Sequence, residues 1–210
     1  MAAGSRESGR PSRTWGQKNR RDSMTDSAFL EQMRTGEPVR PDSEQAEELE
    51  KLSWRARWLT NYLNCVPHRP PIVRRILSEL TGRDVPEDVD VWTPVYVQIG
   101  LGLSFGRRVR IEQGVHLLDL GGISLGDGVC IGCGSIIMTS LPGVHLPDRN
   151  IIYPAPVNVE KDVWIGPGVT IMPGVTIGAG AVISPGSLVA EDVGAATVAA
   201  GRPARYVRDI

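Results

Sequence analysis

The sequence predicts an all-β parallel β-helix preceded by a small α-helical subdomain, and three observations point to it. Apolar residues recur at every sixth position from Ile99 through Phe105, Ile111, Leu117 and Ile123. After a two-residue slip the column continues with Leu125, Ile131 and Ile137, and after an interruption it resumes over Val159, Ile165, Ile171, Ile177, Ile183 and Val189. A second column lies four residues behind the first, as in Leu103, Val109, Val115, Val129, Val163, Val169, Val175 and Val193. Glycine commonly follows the first column, at Gly100, Gly106, Gly126, Gly132, Gly166 and Gly178, where a tight corner with positive φ is expected. Neither a helix nor a heptad has a period of six, and three hexapeptides make one triangular coil of about 18 residues. Its narrow aliphatic interior accounts for an aromatic content of only 5% in a chain of 210 residues with 24 glycines and 16 prolines.

Taken in order, residues 1–23 are rich in Ser, Gly, Arg and Pro and almost devoid of apolar side chains, so they are expected to be a disordered tail. Its basic residues leave open a targeting signal, a nucleic-acid arm, or translation starting at Met24. Residues 24–90 carry helical periodicity: Phe29, Leu30 and Met33, then Leu49, Leu52, Ala56, Leu59 and Leu63, then Ile72, Ile76 and Leu80. Ser43 followed by acidic residues opens the second of these helices, and Pro70 with Pro71 opens the third. Residues 91–198 form the β-helix, with 138–156 too long for a corner and therefore a protruding loop, and 199–210 form a C-terminal tail.

Charge excludes some functions. With 23 Lys plus Arg against 24 Asp plus Glu, the net charge of -1 gives no basic field for nucleic acid. Cys65, Cys130 and Cys133 are few and odd in number, which argues against a disulfide framework and fits a reducing, cytoplasmic setting. Cys130 and Cys133 form C-x-x-C without a second pair to complete a metal site, so no metal is expected. No apolar run approaches the roughly 18 residues of a membrane span, so no membrane association is expected either.

The hexapeptide ladder, the N-terminal helices, the single loop and the ending VAAGRPARYVRDI together resemble the sugar O-acetyltransferases of the hexapeptide class, the maltose and galactoside acetyltransferase group. Residues 158–193 resemble the family's C-terminal coils, and Trp164 stands at the tryptophan of its V-W-I-G motif. The resemblance implies a left-handed β-helix, a homotrimer, and acetyl-CoA as co-substrate in the groove between neighbouring prisms. It places Arg205 and Arg208 near the nucleotide and its phosphates, where guanidinium forks suit the chemistry. It places Gly166, Pro167, Pro185 and Ala190 along the pantetheine arm. Glu191 stands where many relatives have a lysine.

On the acceptor side the sequence departs from the family pattern. The family takes the proton of the attacking hydroxyl with a histidine at the start of the protruding loop, because an alcohol attacks a thioester poorly until that proton leaves. Aligned on Arg149 and Asn150, MTSLPGVHLPDRN puts Pro142 at that place. Two candidate bases remain: His145, three residues further along, and Glu112, which replaces the usual asparagine. Gln98 replaces the usual aspartate of a D-x-G motif, whereas Asp119 in LLDLGGI matches the family's acceptor-side aspartate and Asp42 falls near its N-terminal one. His68 and His116 complete the histidines, and their spacing from His145 does not suit a three-histidine metal site. The leading expectation is an O-acetyltransferase acting on a sugar or other small hydroxyl acceptor. The alternative is a weak or inactive trimeric relative that keeps a CoA- or ligand-binding scaffold.

Overall fold

The computed structural model describes residues 28–210. The expected tail over 1–23 lies outside the described residues. The first helix, α1, is described over 28–34, and it is followed by α2 (Glu44–Cys65) and α3 (Pro70–Thr81). Ser43 stops in an extended conformation and its Oγ accepts the Ala46 amide at 3.1 Å, while Glu44 and Glu47 lie in the first turn of α2, where the helix dipole favours them. Prolines at the first turn of α3 lose no intrahelical hydrogen bond, and Gly82 ends that helix at φ 66°.

Residues 90–209 wind into three sheets of seven, four and five strands, all parallel except the last strand, and these are the walls of a prism. The seventh strand of the first sheet, Ala204–Asp209, turns back antiparallel on Thr197–Gly201. Ile111, Leu117, Ile131, Ile137, Ile165, Ile171, Ile177 and Ile183 fill the interior at 0–1% exposure, as the period of six requires. Buried Ala56, Leu59 and Leu63 of α2 with Val73, Ile76, Leu77 and Leu80 of α3 close one end of the prism in the same apolar cluster. There the Asn64 side chain imitates a missing strand: Nδ2 donates to the Val95 carbonyl at 2.7 Å and Oδ1 accepts the Val95 amide at 3.1 Å.

The ladder corrects two sequence-based expectations. Coils are 18 residues long only late in the prism, where Trp164 lies beside Val182; earlier, Arg110 lies beside Cys130, twenty residues on. The two extra residues fall each time at the corner between the five-stranded and four-stranded sheets. Val97 lies beside Leu117 and Phe105 beside Leu125, so each coil takes eight residues to turn that corner. Ile99 therefore leaves the prism column and packs with Phe29, Met33, Val39, Leu52 and Leu120 beneath the helices. The protruding loop leaves from this same corner one coil later. Its strands Ser140–Pro142 and Ile152–Pro154 pair antiparallel, and Val39 adds a bridge to Ile152, so the loop is pinned to the chain between α1 and α2.

The second correction concerns glycine. Of the six that follow the first column, only Gly100 has positive φ, at 82°. The others are required because the next coil passes too close for a side chain. A Cβ on Gly132 would lie 2.5 Å from the Pro167 nitrogen, against backbone that has nowhere to move. Gly132→Ala is accordingly expected to cost about 2–4 kcal/mol in urea unfolding, well above the propensity effect of a glycine in a loop.

Candidate active site

One corner carries most of the expected cofactor contacts. After each strand of the seven-stranded sheet the chain turns through Glu112, then Cys133, then Gly166–Pro167, then Pro185, one coil above another. Backbone bonds tie the column together: the Gly168 amide donates to Cys133 at 2.9 Å and the Gly186 amide to Pro167 at 2.8 Å. Among the described residues, and apart from the immediate chain neighbours of each, no atom lies within 4 Å of a Cβ placed on Gly134 or Gly186, which leaves a bare strip of backbone along the corner. A thin, extended arm such as pantetheine fits such a strip. Trp164 stands beside it on the sheet face, 41% exposed and flanked in the ladder by Cys130 and Val182. The Glu112 carboxylate accepts the Cys133 amide at 2.9 Å, which fixes its position on the strip.

Arg205 and Arg208 lie on the returning strand at the far end of the prism, both exposed. Arg208 sits opposite Val198 and donates to its neighbour's carbonyl, that of Asp209, at 3.0 Å. Arg205 is paired with Glu191 at 3.0 Å. Ala190 adjoins Glu191 on the corner beyond the five-stranded sheet, so it does not join Gly166, Pro167 and Pro185 within one chain. An exposed pair of this kind is weak, and a phosphate must displace the Glu191 carboxylate to take the guanidinium. Glu191→Gln is expected to lower the KM for acetyl-CoA by up to about fivefold with kcat unchanged.

The acceptor-side residues do not converge. Asp119 is fully buried at 0% exposure, and its carboxylate is occupied by the amides of Ile99 at 2.9 Å, Gly100 at 3.2 Å and Gly102 at 3.0 Å. It holds the enlarged corner of the coil below rather than facing solvent. Burial pushes its pKa up to about 6, against the opposing pull of those amides. In the next coil Thr139 takes over, accepting the Gly121 amide at 2.8 Å and donating to the Leu118 carbonyl at 2.6 Å. Gln98, at the same corner, buries its Oε1 without a hydrogen-bond partner among the described residues. Asp42 is exposed, at φ 58°, one residue before the cap of α2.

Pro142 lies in the first loop strand opposite Ile152. His145 is carried to the exposed tip, between Val144 and Leu146 at 86% and 75% exposure, and its ring has no hydrogen bond among the described residues. Glu112 and His145 leave the prism from different corners, with the five-stranded sheet between them. Across that sheet His116 stacks on Tyr96, with ring centroids 4.4 Å apart and planes at 22°. Tyr96 is a residue the sequence did not single out; the 20-residue ladder that sets it beside His116 was its only signal. Cys65, Cys130 and Cys133 are free thiols, and burial pushes the Cys130 thiol up. Among the described residues no cluster of three or more His, Cys, Asp or Glu is placed to hold a metal, and no helix is long and apolar enough to cross a membrane.

The coils over 156–191 match the family model described as bacterial transferase hexapeptide (six repeats). A maltose O-acetyltransferase of Clostridium difficile 630 has the same fold at a TM-score of 0.80 and 30% identity, over 87% of this chain and 97% of that one. The chain belongs to the hexapeptide-repeat sugar O-acetyltransferase family. A second family structure, a hexapeptide-repeat-containing acetyltransferase of Vibrio cholerae O1 biovar eltor complexed with acetyl coenzyme A, matches at a TM-score of 0.73 and 29% identity, over 86% and 97% of the two chains. The galactoside O-acetyltransferase of Escherichia coli (strain K12) is 35% identical over 128 residues, 60% of this chain. That alignment spans 63% of the relative, less than two thirds of its length. In this member of the family the fold is the left-handed parallel β-helix of its relatives, capped by its helical subdomain.

Proposed function

We propose that the chain is the subunit of a homotrimeric O-acetyltransferase that moves acetyl from acetyl-CoA to a hydroxyl of a sugar or other small acceptor. The observation that carries this reading is the bare backbone strip beside Trp164, backed by Glu112 and ending toward Arg205 and Arg208. Those residues would hold acetyl-CoA: the arm along the strip, the phosphates at the arginines once Glu191 is displaced. The loop that carries His145 leaves the prism at a different corner from the strip, and its exposed apolar tip suits insertion against a second copy. Gln98 Oε1, buried and without a hydrogen-bond partner among the described residues, is an unused acceptor at the corner from which the loop leaves one coil later.

In this site the imidazole of His145 takes the proton of the acceptor hydroxyl as its oxygen attacks the thioester carbonyl carbon. The new C–O bond forms, the C–S bond breaks, and the proton passes to the departing CoA sulfur. Negative charge on the carbonyl oxygen is met by backbone amides of the strip or a positioned side chain. Glu112 is held by the Cys133 amide and positions the corner. Three free thiols suit a reducing cytoplasm. A coupled thiol-release assay with acetyl-CoA and a panel of sugars tests the reading: acceptor-dependent release is expected. Release no faster than in the absence of acceptor, across the panel, supports the alternative of a CoA-binding scaffold, which Pro142 at the family's histidine position favours.

A further inference from the structure

A groove of about 420 Å³ lies on the outer face of the four-stranded sheet, away from the strip and from Arg205 and Arg208. Its floor is the outward row Ser104, Ser124 and Asn158, one residue from each of three successive coils. The two hydroxyls are 3.3 Å apart and hydrogen-bonded. Two arginines line the groove from opposite elements. Arg34 arrives from the last turn of α1, its Nε 3.4 Å from where a Cβ on Gly122 would stand. Arg83 arrives from just past Gly82, which ends α3. Among the described residues neither arginine is paired with a carboxylate and no Asp or Glu lines the groove.

We propose that this groove binds a small organic oxyanion, a phosphate ester or a carboxylate. Two arginines at one groove, neither paired with a carboxylate among the described residues, carry guanidinium forks that match an oxyanion bidentately, and Ser104, Ser124 and Asn158 supply further neutral donors. The volume exceeds that of a bare phosphate and falls in the range of small-molecule sites. Gly122 stands at φ 96°, where glycine is favoured, with the Arg34 side chain packed at van der Waals distance from where a Cβ would stand. The site stands independently of the transferase reading, on a different face of the prism.

Isothermal titration of the full chain with inorganic phosphate, and separately with malonate, at an ionic strength held constant with sodium chloride, tests this. One saturable site per chain is expected, weakened at least about tenfold in Arg34→Gln/Arg83→Gln and unchanged in Arg205→Gln/Arg208→Gln. Ser124→Asp, an exposed change that leaves the ladder intact, is expected to abolish binding by placing a carboxylate in the floor. Binding of phosphate alone identifies a phosphate ester as the ligand class, and binding of malonate alone a carboxylate. No binding of either probe to the unmodified chain, or equal binding by the Arg34/Arg83 and Ser124 variants, overturns the proposal.

Discussion

Asp119→Ala is expected to lower the unfolding free energy by about 3 kcal/mol or more, the largest stability effect of any single polar change in the prism. The substitution strands the amides of Ile99, Gly100 and Gly102, all three buried and all three bonded only to this carboxylate in the corner. Each buried donor left unpaired costs on the order of 1–3 kcal/mol. The corner cannot close to compensate, because a Cβ on Gly102 already runs into the Asp119 carbonyl oxygen and the next coil sits directly above. A loss below about 1 kcal/mol in urea unfolding would mean that water or a neighbouring group replaces the carboxylate.

The same residue sets a pH dependence with a definite sign. Its folded-state pKa is raised from 3.8 to about 6, so between these values the folded chain holds a proton that the unfolded chain has released. Stability from this group is therefore greatest below 3.8 and is lost as the pH rises through about 6. The difference between the unmodified chain and Asp119→Asn, measured at one chain concentration from pH 4.5 to 7.5, is expected to shrink with rising pH and then level off.

The second large effect is catalytic. His145→Ala is expected to lower kcat for acetyl transfer by roughly 100- to 10,000-fold with little change in the KM for acetyl-CoA, since a general base acts on the acceptor proton and not on the bound nucleotide. Glu112→Gln keeps the shape of the side chain, and an oxygen to accept the Cys133 amide, and is expected to retain most of kcat. A reversal of the two results would move the base from the loop to the corner. Activity indifferent to both would remove both residues from the proton transfer.

The repeat was legible in the sequence because the prism interior imposes one strict condition, an aliphatic residue at each wall, and Ile111, Ile131, Ile165 and Ile183 meet it in register. The capping of α2 by Ser43 and the proline start of α3 were legible for a similar reason, since each is a local bond or its absence. Ile99 was misplaced because a two-residue corner insertion leaves the spacing to Phe105 intact while moving the residue out of the prism. Gly132 and its counterparts were assigned the wrong cause because a close pass between coils is a contact between residues far apart in sequence. Asp119 illustrates the same limit at the site. Its motif identifies the position, but only the folded corner reveals that three amides already occupy the carboxylate. Loop residue His145 was visible as a histidine, and its separation from Glu112 by a whole sheet was not.

That separation underlies the proposed trimer: one chain supplies the strip and the loop, but not to each other, so a site that uses both would need a second copy. Multi-angle light scattering at assay concentration, run on the same sample used for thiol release, measures this directly. A single active species at three times the 22.8 kDa chain mass is the expected result, and a fully active monomer would contradict it.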